Sequence, residues 1–262
     1  MSPYLKGKVA VISGGSRGIG MAIARRLAGE GSDCLLAART KADLKETADL
    51  IESESGVRVE ICSTDLRTPE GCKAVGKLLT EAFGRADILV NSAGATKGGL
   101  FLEQDDRVWE DGFALKFYAA VRLSRLLWPS LKENRGTVIN IVGGFARTPD
   151  PEFMIGGAVN AALASFSKAL AGLGLRDEVN VNTIHPGMTL TERLEEIFEG
   201  RAELANTTVE EAKKLHIEKA GIRRIGQPED VAELACFLCS PQARHIQGVA
   251  ISVDGGATAG VY

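Results

Sequence analysis

Three glycines, Gly14, Gly18 and Gly20, punctuate the stretch "VISGGSRGIGMAIARRLA". They fall between a short apolar run and a segment with three-to-four-residue apolar spacing, which reads as a strand, a tight turn and an amphipathic helix. Glycines placed so let backbone amides approach a pyrophosphate, whose charge then rests on the amino end of the helix. The spacing is GxxxGxG rather than the commoner GxGxxG, and the position after a strand and before a helix carries more weight than the glycines alone. A second pattern, Cys236 and Cys239 in "EDVAELACFLC", has metal-ligand spacing. It lies inside a helical pattern with no second ligand pair, so buried structural thiols are expected there and no metal site.

The elements that must position the glycine turn can be read along the whole chain. "KVAVIS", "DCLLAA", "VRVEIC", "ADILVN", "GTVINIV", "NVNTIH" and "VAISVD" are short apolar runs, and segments such as "EGCKAVGKLLTEAF" with helical spacing lie between them. Uniformly apolar strands alternating with helices predict a parallel sheet covered on both faces. The expectation is an α/β, doubly wound, seven-stranded Rossmann-like sheet forming a single domain over residues 1–262. Residues 188–226 break the rhythm with a charged helical excursion before the last strand, a candidate lid at the carboxyl edge where such sheets bind ligands. A net charge of -3 supplies no basic stripe, which argues against nucleic-acid binding. The first apolar run is far shorter than a signal or membrane segment, and the five cysteines are odd in number and irregularly spaced. A cytoplasmic protein without a membrane partner is expected.

With these motifs in place the chain resembles the short-chain dehydrogenases/reductases, of the 3-oxoacyl-ACP-reductase type. The family's TGxxxGxG stands here as "SGGSRGIG", with Ser13 in the threonine place; its NNAG stands as "NSAG", Asn91 to Gly94; Asp65–Leu66 matches a pair that contacts adenine; and "HPGMTLT", residues 185 to 191, matches the segment lining the nicotinamide. "RRIGQPEDVAELACFLCS…IQGVAISVDGG" matches the family's closing pattern, so the resemblance covers essentially the whole chain. It implies cofactor-binding roles for Gly14, Ser16, Arg17, Gly18, Ile19, Gly20, Arg39, Asp65, Leu66, Asn91, Ala93, Gly94, Pro186, Gly187, Thr189 and Thr191.

The end of the second strand selects the cofactor. NAD sites place a carboxylate there for the ribose hydroxyls. This chain has Ala38 followed by Arg39, with Arg17 inside the glycine turn. Two guanidiniums and no carboxylate suit a 2′-phosphate, so NADP(H) is expected.

The catalytic positions depart from the family. A tyrosine that exchanges a proton with the reacting oxygen falls on Gly156; the lysine one helical turn on, which lowers the tyrosine's pKa and holds the ribose, falls on Asn160; the serine falls on Gly143 and the asparagine on Lys116. Glycine transfers no proton, and loss of a general acid costs about two to four orders of magnitude in rate. Tyr4/Lys8 and Tyr118/Arg122 have the tyrosine–basic spacing at the wrong places in the chain, and Tyr262 would need a neighbouring subunit. Lys116 is the candidate replacement: a desolvated lysine titrates toward neutrality and can serve as acid or base, and a void left by Gly156 would give it room. The bland alternative has it bonded to Asn160 or to backbone carbonyls. Arg147, Thr148 and Asp150 lie near the expected substrate mouth, and His185 and His216 near the presumed cleft.

Three readings stand. The first is an NADP(H)-dependent oxidoreductase of a carbonyl or alcohol substrate with rebuilt acid–base machinery. The second is a catalytically silent NADP(H)-binding subunit or sensor, in which restoring serine, tyrosine and lysine at positions 143, 156 and 160 should recover activity. The third is a non-redox lyase or hydratase. The small residues of "GGAVNAALASF" permit close helix packing, and the resemblance implies a homodimer or homotetramer through that helix.

Overall fold

The computed structural model describes residues 3–94 and 96–258, and Tyr262 lies outside them. Seven strands form one wholly parallel sheet: β1 (Val9–Ser13), β2 (Asp33–Ala38), β3 (Val59–Ser63), β4 (Ile88–Asn91), β5 (Thr137–Ile141), β6 (Asn180–Pro186) and β7 (Ala250–Val253). They lie in the order β3-β2-β1-β4-β5-β6-β7. The chain winds outward from β1 in one direction and from β4 in the other. A crevice therefore opens at the carboxyl ends of β1 and β4, where ligands bind in such sheets.

Every residue of β1, β4, β5 and β6 is buried. The alternation that strand geometry imposes divides β1 between two cores. Ala10 and Ile12 pack with Ile23 and Leu27 of α1 (Gly18–Gly29), Leu44 and Ile51 of α2 (Lys41–Ser55), and Val231 and Ala235 of α9 (Pro228–Leu238). Val9 and Val11 face the other layer, with Val75 and Leu79 of α3 (Pro69–Ala82) and Leu123, Leu127 and Leu131 of α5 (Ala119–Glu133). Burying each such Leu or Ile side chain contributes about 1.5–3 kcal/mol, which is why these runs contain so few polar residues.

α4 (Asp106–Gly112) passes into α5 through one π-helical turn, Phe113–Tyr118. Such turns are rare and recur at functional sites; sequence spacing gave no warning of this one. α6 (Met154–Asp177) is long and apolar enough to cross a bilayer by composition. Here its Ile155, Val159 and Leu163 are buried, and the helix packs along β6. Residues 188–226 fold as α7 (Glu192–Ala205) and α8 (Val209–Ala220), with a small core of their own around Leu194, Phe198 and Ile225.

Candidate active site

Ser13 joins the tips of β1 and β4: its hydroxyl accepts from the amides of Ser92 and Ala93, both at 3.1 Å. The glycine turn fits against this joint with no space for side chains. A β-carbon on Gly14 (φ +70°) would stand 2.9 Å from Ala93 Cα, and one on Gly20 would stand 2.1 Å from the Gly14 carbonyl oxygen. Gly18 (φ +55°) faces Thr191 Cγ2, 3.2 Å from its would-be β-carbon. Ser16 is buried, its carbonyl accepting from Thr47 Oγ1 at 2.9 Å, and Ile19 packs on the core. Arg17 holds the N-cap of α1 without a side-chain cap, whereas Thr68, Thr191 and Thr208 cap α3, α7 and α8. The amino end of α1 thus keeps unpaired amides, which attract an anion. A glycine cradle and an uncapped helix fit a dinucleotide pyrophosphate.

The flanking positions complete that frame. Arg39 is exposed past the end of β2, with its carbonyl accepting from Ser63 Oγ at 2.8 Å. Burial opposes ionisation of Asp65, but hydrogen bonds from Arg67 and the nearby Arg39 charge hold its carboxyl below the usual range. Leu66 is buried in the core. Asn91 donates to Asn140 Oδ1 at 2.7 Å, and Asn140 donates to Ser167 at 2.8 Å, a polar chain beneath the site. Pro186 ends β6, and a β-carbon on Gly187 would meet Asp254 Cα at 2.8 Å. Thr189 donates to the Gly187 carbonyl at 3.1 Å, and the Thr191 side chain faces Gly18. The structure therefore gathers the glycine turn, the segment after β4 and the segment after β6 around one cleft.

The catalytic half differs from expectation at Gly156. There is no void: a β-carbon on Gly156 would stand 1.8 Å from Cε1 and 2.3 Å from Cδ1 of Phe153. The Phe153 ring lies where that side chain would start, packed on Phe145 with ring centroids 4.9 Å apart. Phe153 went unnoticed in the sequence, although it precedes Gly156 by three residues, the spacing that puts side chains on one helix face. The other two vacated positions bond to each other, the Gly143 amide donating to Asn160 Oδ1 at 3.0 Å.

Lys116 sits on the π turn, half-buried, with its chain against Gly94; a β-carbon there would stand 2.9 Å from Lys116 Cδ. No hydrogen bond or ion pair joins its amine to any described residue, so the bond to Asn160 is not made. Burial, then the Arg193 charge, lowers the amine from 10.5 to about 8. His185 is only 2% exposed with both ring nitrogens unpartnered. Burial, then the charges of Arg147 and Lys116, push it down to about 4 against the pull of Asp254. Arg193, also unforeseen, donates to the Thr96 carbonyl across the cleft.

The remaining candidates are held elsewhere. Arg147 donates to Ser252 Oγ and the Ala250 carbonyl of β7, both at 3.0 Å. Thr148 bonds the Gly144 carbonyl, and Asp150 accepts from the Glu152 amide in the turn before α6. His216 lies in the α7–α8 core, its ring 5.8 Å from that of Phe198, rather than in the cleft. Tyr4 hydrogen-bonds Cys236 and Lys8 pairs with Asp87, while Tyr118 lies under the Arg122 guanidinium.

The sequence matches the family model described as Enoyl-(Acyl carrier protein) reductase over residues 14–258. An uncharacterized oxidoreductase of Mycobacterium tuberculosis (strain CDC 1551 / Oshkosh) is 37% identical over 97% of this chain and 93% of its own length. A 3-oxoacyl-[acyl-carrier-protein] reductase of Vibrio cholerae is 30% identical over 96% and 98%. Among solved structures, L-sorbose reductase from Gluconobacter frateurii, complexed with NADPH and L-sorbose, superposes with a TM-score of 0.96 at 36% identity, each chain covered in full. Fold order, glycine cradle and full-length similarity agree: the chain belongs to the short-chain dehydrogenase/reductase family of oxidoreductases.

Proposed function

We propose that the protein is an NADP(H)-dependent oxidoreductase of a carbonyl/alcohol pair in which Lys116 replaces the family's tyrosine as proton donor and acceptor. The observation that carries this is the Lys116 amine: half-buried beside Gly94, without a partner, and lowered to about 8. An amine near neutrality can both give and take a proton at physiological pH, which is what a general acid–base needs. NADPH-bound relatives of the same fold support the cofactor. When bound, the nucleotide supplies the hydride. Gly14, Ser16, Gly18, Ile19 and Gly20 with the amino end of α1 would hold its pyrophosphate, and Arg17 and Arg39 its 2′-phosphate. Asp65 and Leu66 would take the adenine side, with Asn91, Ala93, Gly94, Pro186, Gly187, Thr189 and Thr191 lining the nicotinamide half. The α7–α8 segment would cover the cleft as a lid. We also propose a homodimer or homotetramer, in line with the exposed Tyr118 at the end of the π turn and the exposed Leu126 of α5.

A catalytically silent subunit is the second reading, favoured by the Phe153 ring over Gly156 and by the Gly143–Asn160 bond. Titration with NADPH and NADH, followed by the fluorescence of Trp109 and Trp128 and by melting temperature, tests the cofactor; NADPH is expected to bind more tightly, and binding of neither would end both readings. NADPH oxidation over a panel of carbonyl compounds then separates them. Turnover that falls about 10²–10⁴-fold in Lys116→Ala supports the first reading. Binding with no turnover supports the second, and full activity in the variant removes Lys116 from the chemistry.

A further inference from the structure

Elsewhere on the protein some cations are chelated by carboxylates: Arg85 by Asp87, and Arg224 by Asp230. The cleft beside Gly94 is different. Lys116 has no partner among the described residues, and Arg193 spends one nitrogen on the Thr96 carbonyl while no carboxylate among the described residues forms an ion pair with it. A guanidinium carries five N–H donors in a rigid fork, so most of its capacity is unspent. Behind them stands His185, buried, with two unpartnered nitrogens. The nearby acids are Glu196, whose charge reaches Arg193 without forming an ion pair, and Asp254, whose two oxygens accept from the amides of Gly256 and Thr258, both at 3.0 Å.

From this arrangement we infer that the substrate side of the cleft takes an anionic group, a carboxylate or similarly small oxyanion, between Arg193 on α7 and Lys116 on the π turn. The substrate would then be an oxo acid or hydroxy acid rather than a neutral carbonyl compound. Three features of the site fit such a group. Lys116 is half-buried and Arg193 exposed; the two positive charges repel, and an anion between them removes that repulsion. Arg193 offers the paired donors that a carboxylate accepts. A neutral His185 can donate one further N–H without adding charge. Because Arg193 belongs to the first turn of α7, an anion there would also tie the covering helices to the rim of the sheet at Thr96.

The inference rests on the proposed cofactor reading only for where the anion sits relative to the nucleotide, and it does not require turnover. The test is titration of the NADPH-saturated protein with malonate and succinate, and with their neutral analogues malonamide and succinamide, reading melting temperature. The dicarboxylates are expected to bind saturably, about tenfold or more tighter than the diamides. Arg193→Gln and Lys116→Gln should each remove most of that preference, and Arg193→Lys should keep part of it. Equal binding of acids and amides overturns the inference, as does an undiminished preference in both Gln variants. If the acids instead displace NADPH, the cations serve the cofactor's own phosphates and the substrate assignment is overturned. If NADPH fails to bind, the cofactor reading falls separately, and the acid–amide comparison on the protein alone still decides whether the anion site exists.

Discussion

Gly20 and Gly156 both stand where a β-carbon has no space, and the reasons differ. At Gly20 the obstacle is backbone: the Gly14 carbonyl oxygen would lie 2.1 Å away. The turn that carries that carbonyl is the proposed phosphate cradle, so nothing can yield without deforming it. At Gly156 the obstacle is a ring, Phe153, which turns about its own side-chain bonds. One glycine is fixed by the architecture of the nucleotide half, the other by a single neighbouring side chain in the catalytic half. At Gly20 the obstacle therefore cannot be exchanged, whereas at Gly156 it is a residue that could be.

The largest effect that this contrast predicts is at Gly20. Gly20→Ala should displace the start of α1, costing about 3 kcal/mol of stability or more, the upper range for forcing atoms into a packed site. NADPH affinity should fall at least about 100-fold, a loss of about 2.7 kcal/mol. Chemical denaturation and an NADPH titration would measure both. Near-normal binding in the variant would mean that the turn is not the phosphate cradle.

At Gly156 the prediction is conditional. Gly156→Ala should cost about 1–3 kcal/mol, and Phe153→Ala should cost some packing against Phe145. The double variant should cost less than the sum, because the second change removes the obstacle to the first; a coupling of about 1 kcal/mol or more is expected. The triple variant Gly143→Ser, Gly156→Tyr, Asn160→Lys should by itself add no activity to that of the parent, since the new tyrosine would have to enter the space of the Phe153 ring. The same three changes combined with Phe153→Ala are where any recovery should appear. Additive costs in the cycle would show that the ring moves aside freely, and the contrast between the two glycines would then collapse.

These two glycines also mark how far the sequence can be read. All seven strands were legible: β1, β4, β5 and β6 are wholly buried and so must be apolar, and the partly exposed β2, β3 and β7 keep enough apolar residues to show as runs; the cleft followed from the alternation of strands and helices. The glycine turn was legible because its spacing and its place between a strand and a helix are local features, although only Gly20 is closed locally, by Gly14, while Gly14 meets Ala93 and Gly18 meets Thr191. The refilled site was not. That Gly156 lacks a side chain is plain in the sequence, but which neighbour fills the space depends on how the chain enters α6, and the approach of Phe153 is a tertiary outcome. Lys116 was found by its place in the family pattern. Its π turn, its contact with Gly94 and its repulsion by Arg193, far along the chain, depend on packing that no local spacing encodes.

Lys116 allows a pH test of the catalytic half. Its ordinary value is 10.5 and its folded value about 8, so between those pH values the unfolded chain binds more protons than the folded one. Stability should then rise with pH across that window, and the cost of holding the ammonium half-buried is fully present below about 8. Lys116→Met keeps the apolar stem and removes the amine. It should be more stable than the parent by about 1–3 kcal/mol at pH 7, with the gap narrowing toward pH 10, while losing turnover. Melting temperatures at pH 7, 8.5 and 9.5 would show this convergence. A parallel offset at all three values would mean that the amine titrates as it does in water, and the acid–base role would lose its support.

The smallest effect lies at the edge of the glycine turn, where it meets α7. Arg17 and Glu192 are 65% and 72% exposed and 3.3 Å apart, and exposed pairs of this kind contribute about 0–1 kcal/mol. Glu192→Gln should leave the melting temperature almost unchanged. If Arg17 takes the 2′-phosphate, the Glu192 carboxylate competes for the same guanidinium and repels the same phosphate. Removing its charge should tighten NADPH by about two- to fivefold, with NADH unaffected and the gain fading in high salt as screening grows. A gain shared equally by both nucleotides would place the Glu192 effect on the common pyrophosphate rather than on the 2′-phosphate. The selectivity for NADP(H) would then rest on Arg39 alone.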